Sequence, residues 1–172
     1  PQVTIAAVNG YCLGGGLVLV NGHDLAFAAD TAKLGMPEVI RGSYGAIATP
    51  TLFQAGIPNK HAFYVQLTGH NLTAEEAQKI GLVSKVVPEA QLMAAVNQLA
   101  REIASRDPVT LAHAKSAADT ERDLDFNKAL QVDDLVSHRQ KFYTNPLSDV
   151  ESYLHSQKGG ANLGYDKPQK KE

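Results

Sequence analysis

Three consecutive glycines, Gly14, Gly15 and Gly16, form the first pattern in the chain that suggests chemistry. They follow an apolar stretch, so the chain turns there without any Cβ atom and a ligand can reach the bare backbone N–H groups. If a helix starts at this point, its free N–H groups and the positive end of its dipole face the same ligand. The loop can hold a phosphate, or the oxyanion that forms when a carbonyl group is enolised. The alternative is a tight turn that serves only helix–strand packing.

The residues around the loop argue against a site for nucleotide phosphates. A Walker loop requires Gly-Lys-Ser/Thr, whereas Gly16 is followed by Leu17 and Val18. The glycine spacing also differs from that of the dinucleotide-binding fingerprint. From the glycines alone a packing turn is as well supported as an oxyanion site, and Glu38, which follows Pro37 after a short apolar stretch, favours the oxyanion site. A carboxylate that a strand end carries to such a site can act as a general base, and a solvated loop glutamate is the alternative.

The elements that must position these residues alternate between strand and helix. Residues 3–8 form a near-continuous apolar run, which is typical of a strand covered on both faces in a parallel sheet. Further strands are predicted at 23–29, 33–36 and 82–87, with helices after the glycines, at 60–68, after Thr73 and after Pro88. Beyond about residue 105 only helices are predicted, two or three of them before about residue 157. This order predicts an α/β core followed by a helical appendage.

Short-range signals fix some of the helix ends. Thr73-Ala74-Glu75-Glu76 has the residues of a capping box, in which the Thr73 hydroxyl and the Glu76 carboxylate each bind the other's backbone N–H. Gly81 is predicted to end that helix. The next helix is predicted to bury the face that carries Leu92, Val96, Leu99 and Ile103, and to break at Asp107-Pro108.

The composition narrows the class of protein. The chain has 172 residues, of which 44% are hydrophobic, and a formal net charge of −2. Scattered Lys and Arg residues without a basic stripe argue against nucleic-acid binding, and no apolar run reaches membrane-spanning length. The single cysteine, Cys12, favours a reducing compartment such as the cytoplasm. The histidines lack metal-ligand spacing, so no metal is expected.

The combination of several motifs resembles the crotonase (enoyl-CoA hydratase/isomerase) superfamily. The strongest match is IAAVNGYCLGGG at residues 5–16. Asp24, KLGMPE at 33–38, LTG at 67–69, TAEEA at 73–77 and GLV at 81–83 fall at the family's spacing. The resemblance covers residues 1–105 well and the helical end loosely.

The resemblance implies an α/β crotonase-like spiral of ββα turns with its N-terminal half absent, followed by a helical trimerisation region. The expected domains are the spiral core at 1–105, the helical oligomerisation region at 106–158 and a flexible tail at 159–172. Pro1 is not a translation start and a strand is already under way at residue 3. A missing segment or a partner chain is therefore expected to supply the first half, and a homotrimer or hexamer is expected.

The resemblance also assigns roles to residues. Gly15 matches the glycine whose N–H binds the thioester oxygen, and Glu38 matches the second of the two catalytic glutamates in hydratases. Further substrate contacts are expected at Gly14, Gly16, Cys12, Leu13, Val18 and Tyr44. For the Cys12 thiol a packing role is favoured over a nucleophilic one, and a packed aromatic is the preferred interpretation of Tyr44. Coenzyme A is expected as part of the substrate, with no separate cofactor.

Two departures from the family shape the expected reaction. Val18 stands where hydratases carry the first glutamate, and Gly45-Ala46 stands where the family often has Pro-Gly. One remaining glutamate suffices to move a double bond through an enolate, so isomerisation of an enoyl-CoA in fatty acid metabolism is favoured. Hydration, or a hydratase-lyase reaction, is the first alternative, and decarboxylation or thioester hydrolysis would use the same enolate. A non-catalytic protein that binds CoA esters is the second alternative.

Overall fold

The computed structural model describes residues 2–144. The chain divides into two compact units, Pro1–Leu111 and Ala112–Glu172, which are described within residues 2–111 and 112–144. The first unit holds both sheets and the glycine loop, and the described part of the second is helical. The expected tail at 159–172 and the end of the expected helical region lie outside the described residues, and the expected domain boundaries stay predictions.

Six short strands form two sheets within the described residues. They are β1 (Ile5–Val8), β2 (Tyr11–Leu13), β3 (Leu25–Ala29), β4 (Lys33–Gly35), β5 (Leu72–Thr73) and β6 (Lys85–Val87). One sheet has the order β1-β3-β6 with parallel neighbours, which confirms the prediction of a parallel sheet. The other has the order β2-β4-β5, in which β2 and β4 are parallel and β5 is antiparallel. The predicted strands are present in shortened form, whereas β2 and β5 were not predicted.

Seven α-helices lie within residues 2–144. They are α1 (Gly15–Asn21), α2 (Ala48–Gln54), α3 (Asn59–Thr68), α4 (Ala74–Lys79), α5 (Leu92–Ala104), α6 (Pro108–Glu121) and α7 (Phe126–Gln140). Two 3-10 helices, Pro37–Arg41 and Glu89–Gln91, follow β4 and β6. None of these helices is long and apolar enough to cross a membrane.

The core of the first unit forms where α1, α4 and α5 pack against the strands, while α2 packs on α1 and α3 packs on the 3-10 helix Pro37–Arg41. Its largest fully buried side chains are those of Leu17, Leu34, Met36, Leu52 and Val65. On α5, Leu92 and Val96 are buried and Leu99 packs partly against the core, as the spacing predicts. The helix breaks at the predicted place, because α5 ends at Ala104 and α6 begins at Pro108.

The predicted capping box is present at the start of α4. The Glu76 N–H donates to Thr73 Oγ1 at 3.2 Å, and the Thr73 N–H donates to Glu76 Oε2 at 2.8 Å. Both bonds satisfy N–H groups that a helix start leaves without partners. Gly81 follows the C-cap residue Ile80 with φ 84°, a left-handed conformation that ends the helix at the predicted position.

We expect Thr73→Ala to destabilise the protein by about 0.5–2 kcal/mol, since it removes the acceptor of the N-terminal cap. The measurement is the free energy of unfolding from chemical denaturation. Gln78→Ala, an exposed substitution on the same helix, is the control and should leave stability unchanged or slightly higher. Equal stability of the Thr73→Ala and Gln78→Ala proteins would show that the cap contributes nothing.

Candidate active site

The glycine loop connects the end of β2 to the start of α1, as the sequence predicts. Gly14 has φ 51° and ψ −113°, a conformation that strains any residue with a Cβ atom. Its N–H donates to the carbonyl of Gly35 at 2.9 Å, which ties the loop to the end of β4. The Val18 N–H is the first in α1 to have a helical acceptor, the Gly14 carbonyl at 3.2 Å. The N–H groups that precede it in the helix therefore have no helical acceptor.

The parallel pairing of β2 and β4 brings Glu38 to this loop. Leu13 is opposite Gly35, so both strands end at the same edge of the sheet. The 3-10 helix Pro37–Arg41 begins two residues after Gly35 and contains Glu38. The carboxyl group lies directly against Gly14, where an added Cβ would overlap Oε1 and lie 3.2 Å from Cδ. The structure therefore brings together the glycine loop and the glutamate that were predicted to act jointly.

A second glycine holds Glu38 from another side. A Cβ on Gly45, which is buried and has φ 71°, would lie 3.4 Å from Cδ and 3.6 Å from Cγ of Glu38. The glutamate side chain thus passes between two glycine backbones. Its Oε2 atom is buried and has no hydrogen-bond partner among the described residues. A buried carboxyl oxygen without a partner is costly, and a catalytic role or a bound ligand is one explanation for such an atom.

The start of α1 leaves room for a ligand. Gly15 is exposed, and a Cβ added to it would meet no atom within 4 Å. A Cβ on Gly16 would meet only the Cys12 sulfur within that distance, at 3.7 Å. The space beside Gly15 at the first turn of α1 is therefore not filled by a side chain, as an oxyanion site requires.

Burial keeps Cys12 in its thiol form. The side chain is buried in the core cluster, and burial raises the pKa of the thiol from 9.0 to about 11. The thiolate is the nucleophilic species, so this cysteine is inert near neutral pH. The favoured interpretation of Cys12 as a packed thiol agrees with this environment.

We expect the folded protein to resist alkylation of Cys12 by iodoacetamide at pH 8, because only about one thiol in a thousand is ionised there. The measurement is the mass increase over time. The same reaction in denaturant is the control and should go to completion rapidly. Fast labelling of the folded protein at pH 8 would contradict the buried, protonated thiol.

The remaining predicted substrate contacts lie in different environments. Val18 is one turn into α1 and is partly buried against the core, and Leu13 is partly buried at the end of β2. The preferred interpretation of Tyr44 as a packed aromatic is wrong, since 69% of this residue is exposed. Its backbone, instead of its ring, is held by the protein, since the Tyr44 carbonyl accepts a hydrogen bond from Thr49 at 2.9 Å.

The sequence did not predict the contact between Gly45 and Glu38, nor the residues that hold Gly45 in place. The signal in the sequence was an isolated glycine a few residues after the glutamate, which was noted only as a departure from the family. Among residues 2–144 there is no group of three or more His, Cys, Asp or Glu side chains arranged to hold a metal ion.

Known proteins resemble this chain in sequence and in structure. Residues 1–148 match the family described as Enoyl-CoA hydratase/isomerase. A Dictyostelium discoideum protein named "Probable enoyl-CoA hydratase, mitochondrial" is 38% identical over 164 residues, which are 95% of this chain and 55% of that protein. The (E)-benzylidenesuccinyl-CoA hydratase of Thauera aromatica is 38% identical over 120 residues, 70% of this chain and 47% of the relative.

A solved structure shares the fold. The crystal structure of human enoyl-coenzyme A hydratase domain-containing protein 3 superposes with a TM-score of 0.80 at 30% identity, covering 90% of this chain and 60% of that one. The chain spans about half the length of the curated relatives it matches. The resemblance recognised in the sequence is thereby confirmed: the chain belongs to the enoyl-CoA hydratase/isomerase family and has a crotonase-like α/β fold.

Proposed function

We propose that this chain supplies the general base and one oxyanion donor of a site that acts on an acyl-CoA thioester. Glu38 removes and returns a proton, and the Gly15 N–H stabilises the oxygen of the enolate. The observation that carries the proposal is the buried Oε2 atom of Glu38, without a hydrogen-bond partner among the described residues, beside the glycine loop. Coenzyme A enters as part of the substrate.

The favoured reaction is migration of a double bond from the β,γ to the α,β position. Glu38 takes the α proton of a 3-enoyl thioester, and the negative charge of the dienolate gathers on the thioester oxygen. The same carboxyl then returns the proton to the γ carbon, which yields the conjugated 2-enoyl thioester. One acid/base residue completes this cycle, and the apolar, partly buried Val18 supplies no second carboxylate to hold a water.

Hydration is the second candidate, favoured by relatives that are named hydratases, such as the Thauera aromatica protein. It requires a water that Glu38 must activate without help from position 18. A hydratase-lyase reaction makes the same demand. A non-catalytic protein that binds CoA esters would keep the N–H groups at the start of α1, but the Glu38 Oε2 atom, without a partner among residues 2–144, favours a catalytic role.

The experiment follows the ultraviolet absorbance of the conjugated enoyl thioester in the intact protein with 3-enoyl-CoA and, separately, 2-enoyl-CoA. Isomerisation raises the absorbance from the 3-enoyl substrate and leaves the 2-enoyl substrate unchanged. A fall in absorbance from the 2-enoyl substrate would show hydration instead. Binding of both esters without any change in absorbance would favour the non-catalytic alternative.

The predicted contacts of Gly14, Gly16, Cys12, Leu13, Val18 and Tyr44 with the substrate also remain proposals. The homotrimer or hexamer that the resemblance implies is a proposal of the same kind, which the mass of the protein in solution would test.

A further inference from the structure

The 42–47 loop, which connects the 3-10 helix of Glu38 to α2, is held by two side chains that lie outside the proposed site. Thr49, in the first turn of α2, has its hydroxyl oxygen 2.9 Å from the Tyr44 carbonyl and 3.0 Å from the Gly45 carbonyl. Gln66, on α3, places Nε2 2.8 Å from the Thr49 hydroxyl and 3.4 Å from the Tyr44 carbonyl. Three separate elements therefore meet at one hydroxyl group.

The chemistry of these groups sets the direction of the hydrogen bonds. An amide nitrogen only donates, so Gln66 Nε2 gives a hydrogen to the Thr49 oxygen. The single hydrogen of the hydroxyl is then left for a backbone carbonyl of the loop, that of Tyr44 or Gly45. The result is a relay from Gln66 through Thr49 to the loop, in which each bond orients the next. The Thr49 N–H adds a bond to the Gly45 carbonyl at 2.8 Å.

The same loop contacts both the backbone and the side chain of Glu38. The Ser43 N–H donates to the Glu38 carbonyl at 3.0 Å. A Cβ on Gly45 would lie 2.9 Å from Met36 Cε as well as 3.4 Å from Glu38 Cδ, so the Gly45 backbone is packed closely against both side chains. The Gly45 backbone therefore limits the space open to the Glu38 side chain.

We propose that the Thr49 hydroxyl and the Gln66 amide are positioning residues for Glu38. The relay keeps Gly45 against the Glu38 side chain and so keeps the carboxyl at the glycine loop. This inference rests on the proposed role of Glu38 as the general base. Displacement of a base by about 1 Å can cost on the order of 100-fold in rate, so a relay several bonds away can control turnover.

The test compares Thr49→Val with Thr49→Ser in the intact protein. Valine keeps the shape of threonine but removes the hydroxyl, whereas serine keeps the hydroxyl. We expect Thr49→Val to lower kcat about tenfold with KM changed by less than about twofold, and Thr49→Ser to keep kcat within about twofold of the parent. Rescue by serine together with an unchanged KM separates positioning from a general loss of structure.

Gln66→Leu breaks the same relay at a second residue, so it tests whether the relay positions Glu38 even if Thr49→Val does not fold. It should lower kcat in the same way, and the double variant with Thr49→Val should be no worse than the poorer single variant, because the two act as one unit. Gln78→Leu, at an exposed position on α4, is the matched control and should leave kcat unchanged.

Glu38→Gln is measured in parallel so that the two proposals can fail separately. If Glu38→Gln abolishes turnover but Gln66→Leu leaves kcat unchanged, or folded Thr49→Val matches Thr49→Ser, the positioning inference is overturned and the base stands. If Glu38→Gln leaves turnover unchanged, the proposed function itself fails, and the positioning inference fails with it.

Discussion

Replacement of Glu38 by glutamine is expected to lower kcat on enoyl-CoA by roughly 10²–10⁴-fold, the range that a positioned general base contributes. Glutamine has nearly the same shape as glutamate, so it fits between Gly14 and Gly45 without moving either glycine. An amide cannot accept the α proton, and KM should therefore change by less than about threefold. The measurement is the steady-state rate from the change in absorbance of the conjugated thioester.

The stability of the Glu38→Gln protein shows whether a fall in kcat comes from the lost base or from a loss of structure. Glu38→Gln replaces an ionisable group, whose buried Oε2 lacks a partner among residues 2–144, by a neutral one. The thermal midpoint should therefore stay the same or rise. Glu75→Gln removes an exposed carboxylate from the first turn of α4 and should leave kcat unchanged. A Glu38→Gln protein that kept more than a tenth of the parent kcat would exclude Glu38 as the base.

Features that depend on neighbours in sequence could be predicted well. The capping box at Thr73, the helix end at Gly81 and the break before Pro108 each arise from a side chain or dihedral angle acting within one turn. The run at 3–8 predicted a parallel strand because burial on both faces removes the polar alternation. These signals need no knowledge of the rest of the fold.

Features that depend on distant pairing could not be predicted. β2 has three residues, and its pairing with β4 joins Cys12 to Leu34, positions too far apart for any local pattern to link. That pairing is also what brings Gly14 to Glu38. The sequence therefore predicted both partners of the candidate site and their joint action, through their residue types and the resemblance, but not the strand pairing that brings them together.

The 42–47 loop is a second example of contacts that the sequence could not predict. Tyr44 was interpreted as a packed aromatic, yet the protein holds its carbonyl and leaves 69% of the residue exposed. Nothing in the sequence relates Gln66 to Thr49, because their hydrogen bond depends on how α3 packs beside α2. Positioning contacts of this kind become visible only in three dimensions.

Gly14→Ala is the second substitution with a large expected effect, and it acts on both backbone and site. An alanine at φ 51° and ψ −113° is strained, which costs about 1–3 kcal/mol of folding free energy. Its Cβ would also overlap Oε1 of Glu38 and must displace the carboxyl group. We expect kcat to fall by on the order of 100-fold or more, because the Glu38 carboxyl group is displaced from the glycine loop.

Two comparisons separate the backbone strain from the collision in Gly14→Ala. Gly10→Ala is the control, since a Cβ there meets no atom within 4 Å and its φ is not positive, so kcat should be unchanged. Glu38→Ala removes the carboxyl that collides, so Gly14→Ala should destabilise the Glu38→Ala protein less than it destabilises the parent. An equal loss of stability in both backgrounds would mean that the strain at Gly14 is purely conformational. The close approach of Glu38 to Gly14 would then have no energetic consequence, because the carboxyl group would move aside freely.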